Sequence, residues 1–154
     1  MLWTDIDNIY IWLLLFITLS FGLIGFLDDF IKLNKNSHKG LSGKVKLVLQ
    51  VIFSFLFSFI LFYFTNEDYS YLTFPVFKNL MINIGYFWFI FSMLVIVGSS
   101  NAVNLTDGLD GLAIVPIVIV TATFSIISYL VGNSIFSEYL NLSYISGMGE
   151  VSIF

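Results

Sequence analysis

The chain has 154 residues, of which 58% are hydrophobic and only 10% are charged. Soluble domains carry about 25% charged residues, so this composition, with its positive mean hydropathy, excludes a water-soluble protein and indicates an integral membrane protein. The absence of cysteine excludes disulfides, thiol nucleophiles and cysteine-ligated metals. The formal net charge of −4 says little about partners, because most of the lysines are clustered in one loop; we expect no nucleic-acid partner.

Four uncharged, strongly apolar segments are long enough to cross a bilayer as helices, which takes about 20 residues each. They cover residues 8–27, 47–66, 80–98 and 112–131. The chain becomes apolar again at residues 144–154, a stretch too short to cross, and we expect it to begin a fifth span. The sequence therefore predicts an all-α, polytopic transmembrane helical bundle in which residues 1–154 form a single integral-membrane region.

The lysines predict the orientation of these spans. Five of the six basic residues, all of them lysines, lie between the first and second spans. By the positive-inside rule this loop is cytoplasmic, and counting spans then places residues 67–79 and 132–143 outside. The end of the first span and the polar segment 101–113 consequently fall at the same, cytoplasmic, membrane face.

Two adjacent carboxylates, Asp28 and Asp29, close the first span. A helix C-terminus carries a partial negative charge, so both groups ionise comfortably only beside a cation. Lys32 is within reach of both on a helix, and Mg²⁺, which takes carboxylate and phosphate oxygens, would serve the pair better. A solvated helix end with a surface ion pair is the alternative.

The loop after this pair is polar and basic. Two roles are open for its lysines. They could serve only to keep the loop in the cytoplasm, or they could bind phosphate groups as point charges. Lys44 lies near the start of the second helix, where it can point back at the membrane face. His38 fits a solvated loop residue better than a metal ligand.

The most informative segment is residues 101–113, which place amides and carboxylates at every third position from the first asparagine onward. Neighbouring members of such a series lie close together on a 3-10 helix or an α-helix. One aspartate could cap the fourth span, but a cap does not explain the two asparagines and the two Asp-Gly steps. We therefore expect a site that reads a base edge or hydroxyls, or that holds a metal-bound water. Its polar members are Asn101, Asn104, Asp107 and Asp110.

This segment, together with residues 24–29 and 39–41, resembles the phospho-N-acetylmuramoyl-pentapeptide transferases, which belong to the polyprenyl-phosphate N-acetylhexosamine-1-phosphate transferases. The resemblance covers essentially the whole chain, including the distances between motifs. It implies a Mg²⁺-dependent enzyme of peptidoglycan and cell-wall synthesis that transfers phospho-N-acetylmuramoyl-pentapeptide from UDP to undecaprenyl phosphate and releases UMP. It further implies a bacterial cytoplasmic membrane protein whose active face is cytoplasmic.

The resemblance also implies roles for particular residues. Asp28 and Asp29 match an acidic pair that handles the metal or activates the acceptor phosphate. Lys32 and Lys44 match basic positions near the diphosphate. The polar members of segment 101–113 match positions that line the nucleotide and metal site, with Asp107 as a third metal ligand and Asp110 near the uracil: Asn101, Asn104, Asp107 and Asp110.

The chain departs from the family pattern in three respects. Family members have about ten spans, a further aspartate in a Met-Gly-Asp motif and a cluster of histidines. Residues 147–150 here read Gly-Met-Gly-Glu, and span counting puts them on the opposite face. We therefore expect a partial transferase, inactive by itself, whose partners are UDP-N-acetylmuramoyl-pentapeptide, undecaprenyl phosphate and membrane lipid, with a homodimer as the oligomer to consider.

Three other functions fit the sequence less well. A sister transferase would use a UDP-N-acetylhexosamine, but the Val-Asn-Leu-Thr residues before Asp107 favour the muramoyl member. A transporter or channel fragment would carry its polar groups near the bilayer midplane, whereas both clusters here fall at span ends on one face. A non-catalytic assembly subunit would need no acidic pair beside a second acidic motif.

Overall fold

The computed structural model describes residues 4–34, 40–64, 71–73, 81–107 and 111–153. The helices are α1 (Ile9–Asn34), α2 (Gly43–Phe64), α3 (Phe87–Thr106), α4 (Ile114–Gly132) and α5 (Ser134–Leu140), followed by a 3-10 helix at Met148–Ile153. Four of them, α1 to α4, are long and apolar enough to cross a membrane, which confirms the predicted helical bundle. Between α2 and α3 lies a short antiparallel hairpin that the sequence did not predict, formed by β1 (Tyr71–Thr73) and β2 (Met81–Asn83).

Three helices extend beyond their predicted spans at the end that carries the polar clusters, and one of them, α2, begins at Gly43 rather than at residue 47. α1 continues past the acidic pair to Asn34, and α3 runs on to Thr106, so that it includes Asn101 and Asn104. An apolar window ends where polar residues begin, whereas a helix ends where its backbone hydrogen bonds stop. The candidate site therefore stands on helical backbone more than on loops.

The buried face of α2 is polar and its exposed face is apolar. Its buried residues, Gln50, Ser54 and Ser58, recur every fourth position, while Phe55 and Phe59 are exposed. In lipid, large apolar side chains gain little by leaving the acyl chains, and small or polar residues pack between helices instead. This inverted pattern is typical of a membrane protein.

α2 is the common packing partner of α1 and α3, and both neighbours run antiparallel to it. The rings of Phe16 on α1 and Phe53 on α2 lie 6.1 Å apart between centroids. On the other side, the hydroxyls of Ser58 on α2 and Ser92 on α3 lie 2.7 Å apart. No Cα atom of α1 comes within 8 Å of a Cα atom of α3, so α2 holds the two apart.

The end of the bundle away from the acidic pair is closed by close backbone packing. The Asn8 side-chain amide donates to the Gly147 carbonyl at 2.7 Å. A Cβ at Gly132 would overlap the backbone of Gly149, so α4 and the 3-10 helix meet at a contact that excludes any larger residue. Residues predicted to begin a fifth span form this 3-10 helix, and they lie at the end opposite Asp28, as span counting predicted.

Candidate active site at one membrane face

The Asp28 carboxylate is held from two directions at the buried side of α1. Its Oδ2 lies 2.7 Å from the Lys32 ammonium, one helical turn further on. Its Oδ1 accepts a hydrogen bond from the Leu41 backbone N–H at 2.8 Å. A Cβ at Gly40 would overlap this carboxylate, so the loop backbone packs directly on it. Both oxygens are therefore engaged, and the orientation of the carboxylate is fixed.

Asp29 differs from its neighbour in exposure. Its side chain is 73% exposed, and its Oδ1 lies 3.0 Å from the Lys32 ammonium. One ammonium thus bridges two carboxylates at the end of a helix, where the helix dipole adds further negative charge. The predicted ion pair is confirmed. A surface ion pair contributes little to stability by itself. This description suits the exposed Lys32–Asp29 pair, but it does not suit the Lys32–Asp28 pair, because the Asp28 side chain is buried.

Lys44 lies in the first turn of α2 with an exposed side chain. It forms no ion pair with any residue that the structure describes, so its charge is available to a ligand at this face. The N-terminus of α2 adds a partial positive charge at the same place. His38 lies outside the described residues.

The first members of the segment 101–113 stand on the last turns of α3. The Asn101 side-chain nitrogen donates to Gln50 Oε1 of α2 at 2.9 Å and to the Val97 carbonyl at 2.8 Å. Asn104 is exposed one turn later, and Asp107 follows the last residue of α3. Asp110 lies outside the described residues, so its predicted place near the uracil stays a prediction.

Asp107 does not act as the N-cap of α4. The N-cap residue of α4 is Ala113, and no side chain caps that helix. Asp107 Oδ1 lies 3.4 Å from the Ala113 backbone N–H, beyond the usual range for a strong charge-assisted hydrogen bond. Gly111 turns the chain between them with φ of +88°, a conformation that favours glycine. The Asp107 carboxylate therefore remains exposed and available to a ligand.

Both clusters lie at one end of the bundle and are connected through α2. Asp28 contacts the segment that leads into α2, and Asn101 contacts α2 itself. Among the described residues, no group of three or more histidine, aspartate or glutamate side chains could hold a metal ion. That Asp28 and Asp29 share one metal-centred site with Asp107 and Asp110 accordingly stays a prediction.

Two residues that contact the predicted site, Gln50 and Gly40, were not predicted from the sequence. Gln50 is a lone amide within an apolar span, and such a residue in a membrane helix is itself a signal of function. Gly40 gave no comparable signal, because its role depends on the approach of the loop to Asp28, which only the folded chain displays.

Comparison with known proteins identifies the family. Residues 11–149 match the profile of glycosyl transferase family 4. The chain is 54% identical to a protein of Rickettsia montanensis and 51% identical to one of Pelagibacter ubique, both named phospho-N-acetylmuramoyl-pentapeptide-transferase. These alignments cover 99% and 100% of this chain but 42% and 43% of the two relatives, so the chain spans less than half of their length. The family profile covers most of the chain, and the chain therefore belongs to glycosyl transferase family 4.

Proposed function

We propose that this chain forms the cytoplasmic part of the active site of a Mg²⁺-dependent transferase in the bacterial cytoplasmic membrane. That transferase moves phospho-N-acetylmuramoyl-pentapeptide from UDP to undecaprenyl phosphate. The names of the relatives support the reaction. The observation that carries the proposal is the convergence of Asp28 and Asp29 on one cationic group, the Lys32 ammonium, at 2.7 and 3.0 Å.

The donor set fits Mg²⁺. This ion takes oxygen ligands and is usually held by one or two carboxylates together with substrate phosphates and water. Asp28 and Asp29 already converge on a single positive charge, and the Asp29 side chain is exposed. Bound there, the ion would neutralise charge on the diphosphate and stabilise UMP as it leaves.

The basic side chains of this chain fit a role in phosphate binding. Lys32 is close enough to the acidic pair to contact a phosphate bound beside it, and Lys44 has no ionic partner among the described residues. Each lysine would act as a point charge on a diphosphate oxygen. The amides and carboxylates at the end of α3 would contact the uridine and sugar of the donor.

Three consequences for the whole assembly follow from this proposal. The lysine-rich loop faces the cytoplasm, where UDP-linked donors occur, and the acceptor phosphate reaches the same face from the lipid. A homodimer is compatible with the exposed apolar faces of α3 and α4. The chemistry therefore takes place at the membrane surface and not at the bilayer midplane.

The test is transfer of radiolabelled sugar phosphate from UDP-N-acetylmuramoyl-pentapeptide to undecaprenyl phosphate in the presence of Mg²⁺. Because the chain covers 42% of the Rickettsia montanensis relative, the assay uses that relative with its aligned segment exchanged for this chain. We expect Mg²⁺-dependent lipid-linked product. A chimera that inserts into membranes but forms none, beside an active parent, would contradict the proposal. Activity with a UDP-N-acetylhexosamine alone would indicate a sister transferase.

A further inference from the structure

The residue that calls for explanation is Gln50, a polar side chain placed inside an apolar membrane helix. It is only 3% exposed. Burying an amide away from water costs several kcal/mol unless its hydrogen bonds are replaced, and the bilayer core offers no water as a substitute. A leucine here would avoid that cost, so the amide must serve a contact that a leucine cannot make.

That contact is with Asn101, the first residue of the motif at the end of α3. The Asn101 side-chain nitrogen donates one hydrogen to the Val97 carbonyl at 2.8 Å and the other to Gln50 Oε1 at 2.9 Å. A primary amide nitrogen has two hydrogens, so both are used. The Val97 carbonyl can only accept, which fixes the nitrogen of Asn101 toward it and excludes the flipped amide.

The same geometry determines where the Asn101 carbonyl oxygen points. With both hydrogens engaged, Oδ1 lies on the opposite side of the amide carbon from the nitrogen, and it accepts no hydrogen bond from any residue that the structure describes. Asn101 is half-buried, and it stands one turn before the exposed Asn104 at the membrane face. A fixed acceptor in this place suits a ligand that brings a hydrogen-bond donor, such as the N–H and hydroxyl groups of a nucleotide sugar.

We propose that Gln50 is a positioning residue, which holds the Asn101 amide so that its carbonyl oxygen accepts a hydrogen bond from the UDP-linked donor. This inference rests on the proposed function and extends it to a residue that does not touch the substrate. Without Gln50, one Asn101 hydrogen would lose its partner and the side chain would adopt several rotamers. The ligand would then have to order Asn101 on binding, at a cost in affinity.

A second polar contact between the same two helices provides a matched control. Ser92 donates its hydroxyl hydrogen to the Phe89 carbonyl at 3.0 Å, so Ser58 donates to Ser92, 2.7 Å away. This pair lies two turns along α2 from Gln50, about 12 Å at 1.5 Å per residue. It joins α2 to α3 just as the Gln50 contact does, but far from the polar motif. A purely structural role for Gln50 therefore predicts equal effects of breaking either contact.

The experiment follows the Asn101 side-chain amide by NMR in the 154-residue chain, labelled with [¹⁵N]asparagine and inserted in lipid nanodiscs. Loss of a signal in Asn101→Leu assigns the resonance. We expect Gln50→Leu to shift and broaden it, and Gln50→Glu to retain it, because a carboxyl group keeps an acceptor oxygen whether or not it is protonated. Ser58→Ala should leave it unchanged. An unchanged signal in Gln50→Leu, or equal changes in Gln50→Leu and Ser58→Ala, would overturn the proposal.

A binding measurement on the chimera with the Rickettsia montanensis relative, inserted in nanodiscs, separates this inference from the proposed function. We expect Gln50→Leu to weaken binding of UDP-N-acetylmuramoyl-pentapeptide about tenfold, as for loss of one hydrogen bond, and Gln50→Glu and Ser58→Ala to stay within about twofold of the unsubstituted chimera. Equal affinity in Gln50→Leu would contradict the positioning role. If the unsubstituted chimera binds no donor, the proposed function fails, and the NMR comparison still decides whether Gln50 orders Asn101.

Discussion

Gly40 lies where the loop backbone presses on the Asp28 carboxylate, and replacing it by alanine should disturb that carboxylate selectively. A Cβ at position 40 would overlap Oδ1 and come within 2.9 Å of the Asp28 backbone carbonyl oxygen. Real Cβ contacts are not that short, so the loop must move away from α1. The Leu41 N–H, which follows directly, would then lose its 2.8 Å hydrogen bond to Asp28.

The size of the effect follows from that one hydrogen bond. A hydrogen bond to a charged group contributes about 1.5–3 kcal/mol, which corresponds to a factor of roughly 10 to 150 in the population of the open loop. Replacing glycine by alanine also restricts the unfolded chain, which favours the folded state by about 0.4–1 kcal/mol. The stabilisation lost with the hydrogen bond exceeds the stabilisation gained by restricting the unfolded chain, so Gly40→Ala should lower the free energy of unfolding by about 1–2 kcal/mol.

Gly43 provides the matched control, three residues along the same segment. Gly43 begins α2, and a Cβ there would meet nothing within 4 Å. Gly43→Ala should therefore restrict the unfolded chain without disturbing any contact of the folded one. The assay is amide hydrogen exchange at Leu41 in lipid nanodiscs. We expect exchange to accelerate roughly 10-fold or more in Gly40→Ala and to be unchanged in Gly43→Ala. Equal exchange rates in the two variants would refute the argument.

Three further predictions concern orientation and chemistry. Since the chain has no cysteine, single cysteines at Ser42 and Ser146 should react with an impermeant thiol reagent from opposite membrane sides, and same-side labelling would contradict the topology. In the transferase assay with the chimera, Asp28→Asn and Asp29→Asn should each lower turnover by roughly 10²-fold or more, as when a charge-stabilising group is lost, and near-normal turnover in both would remove their assigned role. Asp110→Asn should instead raise KM for the UDP-linked donor more than it lowers kcat, and the reverse pattern would place Asp110 at the reacting phosphate.

The sequence could predict two kinds of feature: those that depend on the spacing of residues along one helix, and those that depend on the number of membrane spans. The parity of the spans placed Asp28 and Asn101 at the same end of the bundle, and the structure agrees because each helix reverses the direction of the chain. The Lys32 ion pair follows from spacings of three and four residues on one helix, which hold wherever that helix lies. Neither inference needs the rotation of one helix against another.

The features that sequence could not predict all depend on that rotation or on a loop path. The Gln50 contact with Asn101 joins residues 51 positions apart and requires a particular face of α2 to meet α3. The loop contact of Leu41 with Asp28 likewise depends on where the chain returns after α1. The polar stripe of Gln50, Ser54 and Ser58 marks the buried face of α2, but it does not indicate which helix or which residue that face contacts.

Polar contacts with α2 determine how deep each cluster lies in the membrane. The Gln50 and Ser58 contacts fix the axial register of α3 at two points, and the Leu41 contact fixes the end of α1 relative to the start of α2. Apolar side chains against lipid would tolerate sliding, because a shift of one residue moves a helix by only about 1.5 Å and leaves similar side chains in contact. The hydrogen bonds tolerate it less well, since a displacement of about 1.5 Å lengthens and bends each of them. The height of the acidic pair relative to the polar motif is therefore set by a few buried polar groups, and substitutions at Gln50 should affect the site before they affect insertion of the chain.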